Sequence, residues 1–529
     1  MTPSGRYRRF RAPQGDGEVL CIPSMEQLPA LVARNHSESR FAGSEWYGRS
    51  LTDLARQARA TIIADAVACT RQYSDVSNPP SADQPLIVTG HQPEIFHPGV
   101  WLKNFEASRL AKACGGAAIN LVIDSDLCRA PSIRVPTGSV AELRTEAVAF
   151  DQSLVAVPYE ERLIADRSQW ESFGSRVSKA IQPLVADPLV QDWWPTMIEA
   201  SQRNENLGHA ISQSRHQLEL QWGSRSLELP QSHVCRSEAF RLFAMQLFLR
   251  AAEFRKAFNE SLAHYRTEHR LKNHAQPVPD LAAHDDWVET PFWIWSTSNP
   301  ERHGVFARVT GTELQITDRH GFMATLSRDA GSAFEQFAEW EAHRIRLRTR
   351  ALATTLFARL LIADVFIHGI GGAKYDQVTD EICERFFGVT LPAYATISGT
   401  LRLPIEAPIP QPISAHQLRQ ELREHRFHPE FHQDKMALTA AEFPDVERLV
   451  AAKQSWVQSA KTPGNAAERH HAITSVNQQL QSFLNTRKVL LEQQIDAAKL
   501  AASTEQLRSS REYAYCLFPQ DRLREFLQR

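Results

Sequence analysis

At 529 residues and 43% hydrophobic content the chain can bury more than one core, and its length points to two to four domains. Lys plus Arg (59) nearly balance Asp plus Glu (61), which excludes a global field aimed at nucleic acid or an anionic membrane. The most apolar window, Leu356–Ile370, is broken by Arg359, Asp364 and His368 and is too short to span a bilayer. The seven cysteines are scattered without a C-x-x-C pair, so neither a zinc ribbon nor a thioredoxin-like centre is expected and a reducing cytoplasm fits best. Paired arginines near the N-terminus are followed by Ala12-Pro13-Gln14-Gly15-Asp16 rather than an apolar core, so a secretory signal is not expected.

Residues 1–80 read as a helical segment, because Leu51, Leu54, Ala58, Ile62, Ile63 and Ala66 recur at helical spacing within 24–75. After the linker Asn78-Pro79-Pro80-Ser81, the spacing predicts a strand at Leu86–Val88 and a helix at Val100–Ala113, stopped by Gly115-Gly116. A second strand follows at Ala118–Ile123. Strand, helix, strand makes a βαβ unit with parallel strands and a right-handed crossover, the first part of an α/β core over 81–165. Residues 131–165 read as short strands. An insertion over 166–350 carries long helices at 167–222 and Ser237–Arg270, then strands at Trp287–Trp295, Gly304–Val309 and Leu314–Ile316. Helical spacing returns over Phe334–Leu361.

The core resumes over 351–404, with a strand at Ala363–Ile367, a glycine-rich loop at Gly369–Asp376, a helix at Asp376–Phe387 and a strand at Tyr394–Leu403. The proline-rich Pro404–Pro412 leads into a C-terminal arm over 405–529. There Ala441–Ala460 and Asn465–Gln506 predict an antiparallel helical pair, its stripe formed by Ile473, Val476, Leu480, Leu484, Leu491, Ile495 and Ala498.

Two loops carry the candidate chemistry. Gly90-His91-Gln92-Pro93-Glu94-Ile95-Phe96-His97-Pro98-Gly99 joins a strand end to a helix start, where free N–H groups can hold phosphate or carboxylate. Gly90 and Gly99 permit unusual backbone conformations, and His91 and His97 could bond the anion or shuttle protons. A tight turn with solvated histidines is the plainer alternative. Asp124 and Asp126, at the next strand end, could hold Mg²⁺ through water, accept a sugar hydroxyl, act as a base, or cap a turn. In the later loop, Gly369, Gly371 and Gly372 make a nest for an anion, with Lys374 as a point charge and Tyr375 and Asp376 beside it. It lacks the spacing of a Walker A loop.

Tyr265-Arg266, His269-Arg270 and Asn273-His274, with Glu289–Trp295, could line a substrate pocket or fill the core. His425, His428 and His432 have ligand-like spacing, but Pro429 breaks the helix between them, and no metal site is assigned.

At these two loops the chain resembles the cysteine-adding enzymes of bacillithiol synthesis, the BshC family. That family's G-Q-Q-x-G-L-x-x-G-P loop is similar to Gly90–Gly99, and its G-G-P-G-E loop to Gly371-Gly372-Ala373-Lys374-Tyr375. The chain departs in having His91 for a Gln, Lys374 for a Gly, and Asp124-Ser125-Asp126 for a longer E-D-H-D stretch. The H-Q-P string is also similar to the WbqC-like family, which is much shorter and lacks the late loop. The BshC resemblance implies a Rossmann-like core with insertions and a C-terminal coiled coil that often mediates dimers. It implies a site for ATP or ADP, with Mg²⁺ as a companion, and ATP-dependent ligation of cysteine to a small sugar-derived acceptor.

On that pattern Gly90, Gln92, Gly99, Gly369, Gly371, Gly372, Tyr375 and Asp376 would line the nucleotide. His97 and Lys374 would stabilise phosphate charge, Asp124 or Asp126 would bind Mg²⁺ or a hydroxyl, and His91 would orient the acceptor. The alternative is a non-catalytic nucleotide- or sugar-binding scaffold whose helical arm dimerises.

Overall fold

The computed structural model describes residues 8–37, 41, 43–153, 155–273, 275–406 and 414–529. His274 and the greater part of the proline-rich linker lie outside them. The chain divides into two compact units. One holds residues up to Val135, Glu146–Leu403 and Arg511–Arg529, and the other Pro136–Thr145 and Pro404–Ser510.

The first unit is built on a six-stranded sheet, in the order Val19–Ile22, Ala395–Gly399, Val365–His368, Leu86–His91, Ala117–Val122, Leu227–Pro230. Val19–Ile22 runs antiparallel to its neighbour and every other adjacent pair is parallel. The Val/Ile-rich runs in the middle of this sheet are buried on both faces, as parallel strands with helices on either side require. Numbered along the chain, the five parallel strands lie in the order 3-2-1-4-5. The direction of winding therefore reverses between Leu86–His91 and Val365–His368, and beyond the C-terminal ends of such a pair open α/β sheets form their binding crevice. The two loops singled out in the sequence, nearly 280 residues apart, leave from these two neighbouring strands.

Asp364 fixes that pairing at the opposite, N-terminal end. Its carboxylate is fully buried and takes two hydrogen bonds from Arg59 (3.0 and 2.9 Å), one from the Leu86 backbone N–H (2.8 Å) and a contact from His36 (3.2 Å). Asn35 donates to the Asp364 carbonyl at 2.8 Å. One carboxylate thus ties two helices and two strands together.

Several expectations are corrected. Residues 24–75 form two helices, Leu28–Ser37 and Leu51–Arg71, separated by a hairpin of Glu45–Trp46 and Arg49–Ser50. Phe334–Leu361 is not one helical stretch: helix Ala330–Ala342 ends before strand Ile345–Thr349, and helix Ala351–Leu361 follows. The alternation of Ile345, Leu347 and Thr349 with arginines is the period of a strand, and this strand pairs with Trp287–Ser296 in the β-rich insertion. The last strand is shorter than expected, Ala395–Gly399. Gly369–Asp376 is no loop, since Gly369 is the N-cap of a helix running Ile370–Phe387. Gly90, Gly99, Gly369, Gly371 and Gly372 all lack positive φ. Gly99 is demanded by space, because a Cβ there would sit 2.0 Å from the Gly399 carbonyl oxygen.

The final residues, Arg511–Arg529, belong to the first unit. Tyr515 is buried there against Trp101 (4.3 Å between ring centroids), Trp193 (5.1 Å) and Phe96 (5.6 Å).

The second unit is helical. Phe443–Gln458 packs on Ala466–Ser482 around Val446, Val476 and Leu480, and Ala415–Phe427 packs on Asn485–Arg508 around Leu418, Leu491 and Ile495. The expected single helix Asn465–Gln506 is interrupted at Phe483-Leu484. Among the described residues no helix is long and apolar enough to cross a membrane.

Asp364→Ala leaves the Arg59 guanidinium buried without its counter-charge and should cost about 3–5 kcal/mol in urea unfolding. The double variant Arg59→Met/Asp364→Leu should recover most of that loss; equal instability of the two variants would show that charge pairing is not the cause. Gly99→Ala forces backbone against backbone and should cost about 1–3 kcal/mol or more, read as a lowered melting temperature.

Candidate functional site

Helix Pro98–Ala113 carries its polar residues into the core. Lys103 is 3% exposed, and its Nζ donates to the Gly90 carbonyl at 2.9 Å. Gly369 lies on its other side: a Cβ there would stand 3.8 Å from Lys103 Cδ. The ammonium therefore sits between the ends of the two strands that flank the crevice. Among the described residues no carboxylate pairs with it. Burial, reinforced by the Arg215 guanidinium, pushes its pKa down to about 7. A lysine held near neutrality without a counter-charge costs stability, and such a group at the strand ends is a candidate functional group.

The Arg215 charge is itself compensated, by Glu219 and Glu228, to which Trp101, Asn104 and Asn120 also donate. Arg215 thus belongs to a closed internal network, whereas Lys103 does not.

The first loop is spent largely on its own architecture. His97 is the N-cap of the helix, its Nδ1 accepting from the Gly99 N–H at 3.1 Å, while its Nε2 faces Arg511 (3.4 Å) and Glu512 (3.8 Å). Pro98 has no N–H, and the Val100 N–H reaches the His97 carbonyl. This helix start thus keeps few amides for an anion, contrary to expectation. Burial, with Arg511 and Lys103 nearby, pushes His97 down to about 3. His91 is half-buried, bonds the Gln92 carbonyl (3.2 Å), meets the Phe96 ring edge-on, and is pushed down to about 3 by burial and Lys103. Both histidines are neutral at physiological pH.

The second helix start is more open. Its first-turn N–H groups, at Ile370, Gly371 and Gly372, have no intrahelical acceptor. A Cβ on Gly371 would meet nothing within 4 Å, so the backbone is bare there. Gly372 makes room for the His368 ring. Lys374 and Tyr375 are exposed one turn further on, and the Lys374 charge acts on His269 rather than on the strand ends. Asp376 is fully buried, bonded to His368 (2.6 Å) and Arg359 (2.8 Å), so it braces the helix and reaches no ligand.

The two acidic residues part company. Asp124 is 1% exposed, and both its oxygens accept from Ser232, at 2.9 Å from the backbone and 2.5 Å from the hydroxyl. Burial and the neighbouring Glu160 raise its pKa to about 7. It ties one strand end to the turn after another and offers no oxygen to Mg²⁺. Asp126 is half-exposed and accepts from Gln92 Nε2 (2.8 Å) and the Leu127 N–H (2.8 Å), with Arg302 at 3.2 Å. Among the described residues no three His, Cys, Asp or Glu side chains gather as a metal site.

Gln92 and Asp126 border a cavity of about 280 Å³ between the sheet edge and the β-rich insertion. Trp293 lines it, with the guanidiniums of Arg350 and Arg302 over its ring at 4.1 and 5.1 Å. The remainder of the aromatic-basic cluster is structural. Phe292 and Trp295 are core, Tyr265 packs on His269, and Arg266 bonds Asp280 and the Gln276 carbonyl. In the second unit His425 and His432 touch, while His428 is exposed and stacks on Phe431.

Sequence reading passed over Lys103, Arg302 and Arg350. A signal for the first existed: Lys103, Asn104, Glu106 and Ser108 interleave with Trp101, Leu102, Phe105 and Leu110, leaving the helix no solvent face. No family model and no curated protein matches the chain.

Lys103 has a pH signature. Its folded pKa of about 7 lies below the unfolded value, so between pH 7 and about 10 the unfolded chain binds the extra proton and stability rises with pH. Lys103→Met should remove up to about 1.4 kcal/mol per pH unit of that rise and stabilise the free protein at neutral pH. Identical pH–stability curves for the two proteins would place the ammonium in water.

Proposed function

We propose that the chain is a Rossmann-like nucleotide-binding enzyme that takes the phosphates of ATP or ADP at the crevice between Leu86–His91 and Val365–His368. The uncompensated Lys103 carries this reading, supported by the bare first turn of helix Ile370–Phe387 beside it. Lys103 takes the role expected of Lys374. An anion there supplies the missing counter-charge, restores the ammonium to its charged form and is held by a donor already in place.

A reaction that suits this site, and the resemblance to the cysteine-adding family, is ATP-dependent joining of two small molecules. The nucleotide activates one partner, and Lys103 stabilises the charge that gathers on the departing phosphate. Gln92 and Asp126 stand where the second partner would approach.

A non-catalytic nucleotide- or sugar-binding scaffold, dimerising through its helical unit, is the second reading. It draws support from the two candidate acid–base groups among the described residues: Asp124 is sealed and His97 is committed as a cap.

Calorimetric titration of ATP and ADP, with and without Mg²⁺, separates these outcomes. Wild type should bind, Lys103→Met should lose about 10–100-fold in affinity, and Lys374→Ala should stay within a factor of about three. Full affinity in Lys103→Met would overturn the assignment. Release of ADP or pyrophosphate with cysteine and amino sugars supports the ligase, and binding without turnover for any acceptor supports the scaffold.

A further inference from the structure

We propose that the cavity beneath the β-rich insertion binds a carboxylate borne on an apolar body, an aryl- or alkyl-carboxylic acid rather than a sugar. Naming this occupant one of the two molecules joined rests on the nucleotide reading above; its binding does not.

The walls argue for this class. Phe258, Leu281 and Leu352 give the cavity an apolar side, which a polyhydroxylated ligand would leave dry and unpaired. The hydroxyls present are already engaged: Thr349 and Thr354 bond each other at 2.7 Å, and both accept from Gln231. Little is left for sugar hydroxyls.

The charged side sets two arginines, Arg302 and Arg350, against one carboxylate, Asp126, and the arginines are incompletely used. Arg302 spends Nη1 on the Ser125 carbonyl (2.8 Å) and Asp126 (3.2 Å), and Arg350 spends Nη2 on Glu289 (2.7 Å). The other terminal nitrogen of each, Nη2 of Arg302 and Nη1 of Arg350, has no partner among the described residues. Both guanidiniums are mostly buried, with 11% and 18% of their side-chain surface exposed, so an added anion meets them partly desolvated. A cationic ligand is disfavoured, since the electron-rich face of Trp293 already lies under two guanidiniums and Asp126 is already paired with Arg302. A carboxylate can take one N–H from each arginine while its hydrocarbon part lies on the apolar wall.

The test uses the full chain without nucleotide and four probes: 3-phenylpropanoate, hexanoate and their neutral primary amides. Binding is read by saturation-transfer NMR and calorimetry. At least one acid should bind, tenfold or more tighter than its amide. Arg350→Gln and Arg302→Gln should each weaken it about tenfold or more, and Leu352→Trp, which fills the cavity, should abolish it. Lys103→Met should bind the acid as wild type does. Equal binding of acid and amide, no binding of either acid at low millimolar concentration, or full affinity in Leu352→Trp overturns the proposal. If an arginine variant does not fold, the acid–amide comparison on wild type decides. Acid binding in a chain that binds no nucleotide sustains the site and defeats only the nucleotide reading.

Discussion

The pairing of Leu86–His91 with Val365–His368 is the contact on which the rest depends, and Asp364 secures it. A parallel pair joined across nearly 280 residues has a large loop-closure cost, repaid only when many contacts form together. Asp364 concentrates four of them on one carboxylate: a fork of two bonds to Arg59, the Leu86 amide and His36. Because its lone pairs are so fully used, this buried charge escapes much of the desolvation penalty that usually burdens buried ion pairs. Thr89 continues the seam by donating to the Ile367 carbonyl at 2.9 Å. The register is thereby set, and the register decides which side chains stand at the C-terminal rim.

At that rim the balance is reversed. Among the described residues Lys103 has a single acceptor and no opposite charge, so it costs the fold energy that the Asp364 end supplies. The molecule separates its two electrostatic extremes along one pair of strands. One end is saturated and rigid, the other deficient by one negative charge. On the proposed function such a deficit favours anion binding, because the ligand and not the scaffold completes it.

The α/β architecture was legible because buried parallel strands are short apolar runs bounded by glycine and polar residues, as at Leu86–Val88 and Ala118–Ile123. Both strand ends were also legible, and the sheet order brings them side by side, but the second leads straight into a helix and not into the expected loop. What escaped was which groups in them are free. His97, Asp124 and Asp376 look chemically active in one dimension, yet each is consumed by a partner distant in the chain or by its own helix start. Ser232 and Arg359 could not be matched to them from spacing alone. Lys103 escaped for the opposite reason: a lysine in a helix is normally solvated, and the interleaving of polar with apolar residues that marks a helix buried all round was passed over. The strand Ile345–Thr349 was absorbed into helical surroundings because its arginines occupy the alternate positions, where they bond Glu160, Glu161 and Glu341 instead of water.

The return of Arg511–Arg529 to the first unit has a practical consequence for dissecting this chain. Tyr515 seals the helix that carries Lys103, so a stop codon placed after the helical segment would strip an aromatic plug from beneath the crevice. Removing the helices cleanly calls instead for an internal excision that splices Leu403 to Arg511 through a short bridge, with the hairpin tip at Pro136–Thr145 shortened as well.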